Sequence, residues 1–284
     1  MAQPIVNPDI VNWLLSQTAL GHSRDALLAS MLASGWERES ALLTQAAVLG
    51  SAGASAMVPE APLAPLSPVP DPDLSGRSSK LPALDREVEV LAHLRDPRIV
   101  VFGGLLSAEE CEELCELARP RLERSLTVET ESGANKLHEA RTSDGMFFKP
   151  FETDLIARIE RRAAALLRWP VENGEGLQVL RYRPGAEYRP HYDYFDPAAG
   201  GTASILKRGG QRVGTLIMYL RSPARGGGTV FPDVGFEAAP RAGNAVFFSY
   251  PLAHPSSRSL HGGEPVLQGE KWIATKWMRQ RAFA

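Results

Sequence analysis

Hydrophobic and polar positions fall into three regions along the chain. Up to residue 50, short apolar clusters recur at helical spacing and are separated by Gly21 and Gly35. The next region has few residues that could form a core, and the last region changes from helical spacing to strand-like alternation. This pattern predicts a small helical module over residues 1–50, a linker over 51–81 and a larger domain over 82–284.

The N-terminal module has the start signals of three short helices. Asn7-Pro8 is a favourable start for the first helix, Ser23 can cap the second, and Gly35-Trp36 precedes the third. The module carries no constellation of catalytic residues. We expect it to bind a partner protein, with a packing or dimerisation appendage as the alternative.

Proline dominates the linker. Its prolines alternate with alanine, serine and leucine, which favours an extended, semi-rigid segment. They are Pro59, Pro62, Pro65, Pro68, Pro70 and Pro72. The linker is therefore expected to separate two folded units.

Two amphipathic helices precede the strands of the larger domain. The segment "SAEECEELCELA" begins with a capping box formed by Ser107 and Glu110, and it places Cys111 and Cys115 on its apolar face. Buried packing is therefore the expected role of these cysteines, and a disulfide framework is not indicated. The second helix is predicted over about 153–168, where a proline follows it.

Eight short apolar runs follow, separated by glycine, proline, aspartate and serine. They are "LQVLRY", "EYRPHYDYF", "VGTLIMYL", "TVF", "FEAAP", "NAVFFSY", "SRSLHGG" and "KWIATKWM". Such runs are typical of a sandwich or barrel. The fold class is therefore predicted as α+β, with a mainly β domain and flanking helices after the three-helix module.

Composition narrows the possible partners. The 284 residues are 44% hydrophobic and 23% charged, as in ordinary soluble globular proteins. The formal net charge of -2 offers no broad attraction for nucleic acid or an anionic membrane. No apolar run approaches the roughly 20 residues that span a bilayer, and the start "MAQPIVNPDI" lacks a basic segment followed by an apolar core. We expect a cytoplasmic protein that binds neither nucleic acid nor membrane.

The run "EYRPHYDYF" places a histidine and a carboxylate at strand spacing. On a strand, His191 and Asp193 project from one face, while Tyr192 and Tyr194 project from the other. The first pair can supply two ligands to one metal ion. In isolation, however, such a pair is more typical of a surface contact or a hydrogen bond.

His261, in "SLHGGEPVLQGEKW", is the candidate third ligand. It lies at the predicted end of a late strand, just before a glycine turn. Two histidines and one carboxylate from separate strands form the facial triad that leaves positions on Fe(II) open for a cosubstrate and O2. Zinc is the rival metal. Three other histidines are expected at the surface or in packing, namely His22, His93 and His138.

Lys271 lies ten residues after His261, in the next strand. An oxygenase that binds 2-oxoglutarate needs a cation some way from the metal to neutralise the distal carboxylate. Lys271 suits this role because its strand is otherwise apolar and aromatic, whereas Lys276 lies at an odd separation and faces the opposite side. His254 competes with His261 as third ligand but lacks the ten-residue relation to Lys271.

Five ordered blocks extend this pattern over about residues 98–281. They are "EGLQVLRYRPGAEYRPHYDYF", "GGQRVGTLIMYL", "GGGTVFP", "AGNAVFFSY" and "SLHGGEPVLQGEKWIATKWM". The set resembles the prolyl 4-hydroxylase family of Fe(II)- and 2-oxoglutarate-dependent dioxygenases. The resemblance implies a double-stranded β-helix (jelly roll), with Fe(II), 2-oxoglutarate, O2 and ascorbate as reductant. It also implies hydroxylation of a prolyl residue in a protein or peptide, with succinate and CO2 as products.

The resemblance also implies residue roles. His191, Asp193 and His261 match the iron ligands, and Lys271 matches the lysine that pairs with the distal carboxylate of the cosubstrate. The remaining matches are hydroxyl groups that help hold this carboxylate (Tyr182, Thr229), aromatic residues lining the pocket (Tyr188, Trp277), a catalytic arginine that handles substrate (Arg212) and the "RTS" segment of the substrate groove (Arg141, Ser143). Alternatively, the aromatic side chains belong to the core and Arg212 to a structural ion pair.

Several alternatives stay open at this level. The target could be a free amino acid or another side chain, and the loop "DPAAGGTASILKRGGQR", expected to be mobile and to cover the site, could set that choice. A non-catalytic jelly roll that senses or docks a ligand is a second class, disfavoured because a sensor has no need for Lys271 together with all three ligands. A nucleic-acid dealkylase is disfavoured by charge, and a halogenase by Asp193, which occupies the halide position.

Overall fold

The computed structural model of the chain describes residues 4, 6, 8–19, 23–33, 36–49, 66–124, 126–128, 135–137 and 142–283. The chain divides into two compact units, Met1–Leu63 and Ala64–Ala284. Within the described ranges, no helix has the length and apolar character that crossing a bilayer requires.

The first unit contains three helices. They are α1 (Pro8–Ala19), α2 (Arg24–Ala33) and α3 (Arg38–Leu49). α1 begins at Pro8, because a proline at the first helical position gives up no intrahelical hydrogen bond. Ser23 Oγ accepts a hydrogen bond from Ala26 N at 3.2 Å and so caps α2. The core of the unit consists of buried Leu14, Leu27, Met31, Ala41, Val48 and Leu49.

The second unit is mainly β, as predicted, and all strand pairings found in the described segments are antiparallel. Its strands are β1 (Lys80–Ala83), β2 (Arg86–Leu94), β3 (Arg98–Gly103), β4 (Glu123–Arg124), β5 (Leu126–Val128), β6 (Asn135–Leu137), β7 (Asp144–Phe147), β8 (Gln178–Tyr182), β9 (Tyr188–His191), β10 (Arg212–Arg221), β11 (Arg225–Gly226), β12 (Thr229–Phe231), β13 (Phe236–Ala238), β14 (Ala245–Ser249), β15 (His261–Gly263), β16 (Val266–Gln268) and β17 (Lys271–Arg279). Its α-helices are α4 (Ala108–Ala118), α5 (Asp154–Leu167) and α6 (Thr202–Leu206).

Two sheets carry most of these strands. The larger sheet has nine strands in the order β1-β2-β3-β14-β10-β17-β8-β7-β4, and the smaller has four in the order β13-β12-β15-β9. Two-stranded pairs join β11 to β16 and β5 to β6.

The larger sheet buries both faces because its central strands carry apolar side chains on each face. On β10, Leu216 and Met218 join the core that includes α4 and α5. Ile217 and Tyr219 point the other way, into a second core shared with Phe231 of the smaller sheet. A period of two thus directs every second residue of β10 into the space between the sheets.

The two helices predicted from the sequence are confirmed. α4 has the capping box, with both the Ser107 and the Glu110 hydrogen bonds formed. α5 follows Thr153, whose side chain accepts a hydrogen bond from Ile156 N, and it ends at Arg168.

The cysteines of α4 are buried and free. Burial raises the pKa of the Cys111 thiol to about 11 and that of Cys115 to about 12. Both thiols therefore stay protonated at neutral pH, in agreement with a packing role.

The predicted linker is too long at its C-terminal end. Ser67 N donates to Pro251 O and Asp71 N donates to Leu167 O, both at 3.0 Å. Buried Pro70 packs over Gly214, where a Cβ would lie 2.6 Å from Pro70 Cγ. Residues 66–81 thus belong to the second unit, because prolines pack as apolar side chains and the domain satisfies the backbone donors. Residues 51–65 lie outside the described residues.

Candidate active site

β9 and β15 bring the two predicted histidine ligands together. His191 and His261 are direct partners in this pairing, and their ring centroids are 4.4 Å apart. Gly262 permits the close approach of the strands, because a Cβ there would lie 2.9 Å from Tyr188 O. β15 therefore begins at His261, and Gly262 and Gly263 lie within it. The prediction that His261 ends a strand and precedes a glycine turn is wrong.

Asp193 lies beyond the end of β9, so the strand predicted to run through it is too long. The Gln211 side chain accepts a hydrogen bond from Phe195 N and donates one to Phe195 O, both at 2.8 Å. The chain bends at Asp193 and Tyr194 instead of continuing the strand. Asp193 nevertheless reaches the histidines, with Oδ1 3.5 Å from His191 Nε2 and Oδ2 3.4 Å from His261 Nε2. Ligand atoms of all three residues lie within 4.8 Å of one another.

Backbone carbonyls orient both imidazole rings. His191 Nδ1 is 3.0 Å from Arg189 O, and His261 Nδ1 is 3.0 Å from Ser259 O. Since a carbonyl oxygen only accepts, each Nδ1 carries the hydrogen and each Nε2 lone pair is available to a metal.

The charge state of the cluster also suits a metal. Burial lowers the pKa of His261 to about 4, so its imidazole is neutral at neutral pH. Burial alone would raise the pKa of Asp193, but the neighbouring His261 and His191 hold it below its ordinary value. One ionised carboxylate and two Nε2 atoms therefore converge.

One pocket between the two sheets is lined by this cluster. Its walls include all the predicted metal ligands and all the residues predicted to bind the cosubstrate. The lining residues are Leu180, Tyr182, Tyr188, His191, Asp193, Ile217, Thr229, His261, Gly262, Gly263, Lys271, Ile273, Thr275 and Trp277. Tyr188 stacks on the His191 ring with centroids 3.7 Å apart.

Lys271 is the cation of this pocket. Its side chain is buried, with 3% of the residue exposed, and Nζ lies 5.5 Å from the Tyr182 ring centroid and 5.8 Å from that of Tyr219. In the described ranges, no carboxylate lies within ion-pair distance of Nζ. Burial lowers the pKa of Lys271 to about 8. A buried ammonium group without an anion is costly, so the pocket beside Nζ is suited to an anionic ligand.

Lys276 faces the other side of β17, as predicted from the strand period. Its Nζ bonds to Glu160 Oε1 and to Glu175 O in the core under α5. Lys276 therefore already has an anionic partner, and Lys271 is the lysine of β17 that faces the pocket.

Comparison with known proteins agrees with this arrangement. A family model described as the 2OG-Fe(II) oxygenase superfamily matches residues 177–279. Prolyl 4-hydroxylase 1 of Arabidopsis thaliana is 46% identical over 203 residues, which cover 66% of this chain and 70% of that protein. The chain belongs to the prolyl 4-hydroxylase family.

Two further proteins extend the comparison. Probable prolyl 4-hydroxylase 7 of Arabidopsis thaliana is 38% identical, and the match covers 66% of this chain and 64% of that protein. The crystal structure of a viral collagen prolyl hydroxylase from Paramecium Bursaria Chlorella virus-1, a 2OG complex, aligns with a TM-score of 0.50 and 31% identity. That alignment covers 64% of this chain and 95% of the viral protein.

In this prolyl 4-hydroxylase family member, Arg212 does not line the pocket. Its guanidinium group forms a two-pronged ion pair with Glu175, at 2.6 and 2.9 Å. It lies 4.0 Å from the Trp277 ring centroid and 4.8 Å from that of Phe195, and Nη1 is 3.4 Å from Asp193 O. The ion pair predicted as the alternative is therefore present, and a catalytic role for Arg212 stays a prediction.

The "RTS" segment is only partly described. Arg141 lies outside the described residues. Ser143 is buried and does not line the pocket. Thr142 between them is bonded to Glu187, which precedes β9. These hydrogen bonds hold the described part of the segment against the start of β9, which carries His191. Its role in substrate binding stays a prediction.

The remaining histidines lie elsewhere. His254 is exposed and its Nδ1 accepts from Ser256 N at 3.1 Å, which caps a short 3-10 helix at Pro255–Ser257. His93 is exposed on β2, whereas His22 and His138 lie outside the described residues.

The loop that follows Asp193 contains α6 and is attached to the end of β17. Arg279 donates to the carbonyl oxygens of Ile205 and Arg208, and Arg281 Nη2 donates to Leu206 O at 3.2 Å. None of the residues 196–210 lines the pocket. Its predicted mobility and covering role stay predictions.

Sequence reasoning missed three buried polar residues near the site. Thr215 Oγ1 lies 2.7 Å from Asp193 Oδ2, Tyr250 OH lies 2.9 Å from the same Oγ1, and Tyr219 OH donates to Thr229 Oγ1 at 2.8 Å. The signal was a single threonine in the apolar run "VGTLIMYL", whose hydroxyl would need a buried partner.

Proposed function

We propose that this protein is a prolyl 4-hydroxylase that acts on a prolyl residue of a protein or peptide. The reaction consumes 2-oxoglutarate and O2 and releases succinate and CO2. One observation carries the proposal: a single pocket is lined by both the His191, Asp193 and His261 cluster and the buried Lys271 cation. Membership of the prolyl 4-hydroxylase family supports prolyl residues over other targets.

The donor set fits Fe(II). Two imidazoles and one carboxylate on a β scaffold match the facial triad of Fe(II) oxygenases, which leaves positions open for cosubstrate and O2. Accordingly, His191, Asp193 and His261 would hold the ion. When bound, Fe(II) supplies the redox chemistry that activates O2.

The other residues of the pocket bind and shield the cosubstrate. Lys271 is expected to pair with the distal carboxylate of 2-oxoglutarate, with hydroxyl groups of Tyr182 and Thr229 as further donors. Ile217 and Ile273 give the pocket apolar walls that exclude water and so strengthen this ion pair. Tyr188 and Trp277 are expected to border the space that the substrate enters.

Several finer points belong to the same proposal. The two facing antiparallel sheets and the similarity to the viral enzyme support a double-stranded β-helix. We also propose that Arg212, Arg141 and Ser143 act in substrate handling, that ascorbate serves as reductant, and that the helices α1–α3 form a module that recruits a partner. A cytoplasmic location is likewise proposed.

The decisive experiment measures two products of the same reaction, succinate and the hydroxylated peptide. The full chain loaded with Fe(II) is incubated with 2-oxoglutarate, ascorbate, O2 and a proline-rich peptide, and succinate and peptide mass are measured. We expect the peptide to gain the mass of one oxygen atom for each succinate formed. The same peptide with alanine in place of proline should gain none. Oxidation of free proline but not of the peptide would contradict the assignment to a prolyl residue.

Cosubstrate binding should weaken at alkaline pH. Burial lowers the pKa of Lys271 to about 8, so the unliganded protein loses this positive charge as the pH rises through 8. Because a carboxylate pairs with the charged form, the KM for 2-oxoglutarate should rise by up to about tenfold per pH unit above that value.

A variant without the charge provides the control. Lys271→Met should have a high KM for 2-oxoglutarate that no longer depends on pH in this range. A wild-type KM that stays constant from pH 7 to pH 10 would show that Lys271 is not the group that binds the cosubstrate.

A further inference from the structure

Asp193 needs an anchor that its strand does not provide. It lies two residues beyond the end of β9, so the backbone pairing that fixes His191 against His261 does not reach it. Its carboxylate is instead in contact with β10. Thr215 Oγ1 lies 2.7 Å from Asp193 Oδ2, and Thr215 is completely buried.

The hydroxyl of Thr215 has a second partner. Tyr250, which directly follows β14 and is 1% exposed, places its OH 2.9 Å from Thr215 Oγ1. The contact therefore joins three segments of the chain, since Thr215 is 22 residues from Asp193 and 35 from Tyr250. No backbone group takes part in it.

The direction of these hydrogen bonds follows from their chemistry. An ionised carboxylate only accepts, so the single proton of the Thr215 hydroxyl must point at Asp193. Thr215 then has only lone pairs to offer Tyr250, whose OH must be the donor. Burial raises the pKa of Tyr250 well above its ordinary value, so this proton is retained at neutral pH. The relay runs in one sense, from Tyr250 to Thr215 to Asp193.

The relay has a consequence for the metal ligand. We propose that Thr215, supported by Tyr250, is a positioning residue that fixes the rotation of the Asp193 carboxylate, so that one oxygen faces each histidine. Oδ1 lies 3.5 Å from His191 Nε2, and Oδ2, which accepts from Thr215, lies 3.4 Å from His261 Nε2. The inference rests on the proposed metal site and extends it to two residues that do not line the pocket.

A purely structural role for the hydroxyl explains less. Thr215 shares a face of β10 with Ile217, and a valine there would have nearly the same shape and no buried polar atom. A buried hydroxyl costs free energy unless it is hydrogen-bonded, and its described partners are the carboxylate of Asp193 and the phenol that backs it. Without the relay, the carboxylate could rotate about its side-chain bonds away from this orientation.

Three variants test the relay through metal affinity. Outer-shell hydrogen bonds of this kind typically change metal affinity by about 10- to 100-fold. Thr215→Val removes the hydroxyl at constant shape and should weaken Fe(II) or Co(II) binding by about that factor in anaerobic titrations of the full chain. Thr215→Ser keeps the hydroxyl and should stay within a few-fold of wild type, and Tyr250→Phe should have a smaller effect than Thr215→Val.

The matched control is Thr202→Val, which removes another buried threonine hydroxyl, one bonded to Asp196 O at 2.6 Å. It should leave metal affinity unchanged. The Co(II) absorption spectrum gives a second readout, and it should change in Thr215→Val but not in Thr215→Ser. If Thr215→Val does not fold, Tyr250→Phe still tests the relay, because it leaves the contact with Asp193 in place and removes only its support.

Two results would overturn the inference: wild-type metal affinity in Thr215→Val, or equal losses in Thr215→Val and Thr202→Val. The titration contains no substrate, so it separates this inference from the proposed function. If the wild-type protein binds metal and hydroxylates nothing, the proposed function fails while the relay can still be measured.

Discussion

His261→Ala is expected to abolish stoichiometric Fe(II) binding and to lower turnover by at least about 10³-fold. The metal contributes several kcal/mol to catalysis, and each 1.36 kcal/mol corresponds to a factor of ten in rate. His261 is buried, is the direct strand partner of His191, and has no side-chain neighbour that could replace its Nε2 atom in the cluster of described ligands. Two remaining ligands do not make the facial triad.

His254→Ala is the matched control, because it removes the histidine closest to His261 in the sequence. His254 is exposed and caps the 3-10 helix at Pro255–Ser257, so its loss should leave metal binding and turnover within about twofold of wild type. Metal content, succinate formation and circular dichroism are measured for both variants. If His261→Ala retains one Fe(II) per chain, or if His254→Ala loses it, the ligand assignment is wrong.

Much of the site can be predicted from the two-residue period of β-strands. The spacing pairs His191 with Asp193, and the odd separation between Lys271 and Lys276 distinguishes the two lysines. The second inference holds because β17 is a continuous nine-residue strand with both faces buried, so alternation persists along it. The first prediction places two side chains together that do lie together, but the reason is incomplete, since β9 stops at His191 and an irregular segment carries Asp193.

Other features depend on contacts that spacing does not encode. Whether Arg212 enters the pocket or pairs with Glu175 depends on how β10 lies against the segment before β8, and the two residues are 37 positions apart. The relay to Asp193 likewise depends on the register between β10 and β14. The proline pattern predicts a linker end that is too late in the chain, because proline favours an extended chain both in solvent and packed on a sheet.

The largest expected change in stability comes from Arg162 of α5. Its side chain is 2% exposed, and it bonds Asp85 at 2.7 and 2.6 Å and Glu110 at 2.8 and 2.7 Å. It also donates to Leu105 O at 2.9 Å. Arg162→Met keeps most of the volume but leaves Glu110 in the interior without its main partner. Breaking a buried ion pair in this way typically costs about 3–5 kcal/mol of the free energy of unfolding.

The pH dependence of the free energy of unfolding should also distinguish Arg162→Met from wild type. Burial alone would raise the pKa of Glu110, but hydrogen bonds from Arg162 and Ser107 N lower it from 4.5 to about 2. A carboxyl group with a depressed pKa stabilises the fold above its unfolded pKa, and this contribution is lost as the pH falls through the folded value. Wild type should therefore lose stability between about pH 4.5 and pH 2, and Arg162→Met should lose less over that window because the pKa of Glu110 is then less depressed.

Two further variants make the test specific. Arg161→Met removes the neighbouring arginine of α5, which is exposed and lies over the Phe151 ring, so it should cost at most about 1 kcal/mol. The double variant Glu110→Gln with Arg162→Met removes a charge that only Arg158 at 3.2 Å and Arg86 at 3.6 Å still pair with, and it retains the capping-box geometry, so it should recover part of the loss. Urea unfolding at pH 7 and at pH 3 measures all four proteins. Equal destabilisation by Arg161→Met and Arg162→Met, or no recovery in the double variant, would show that the buried charge of Glu110 is not the source of the effect.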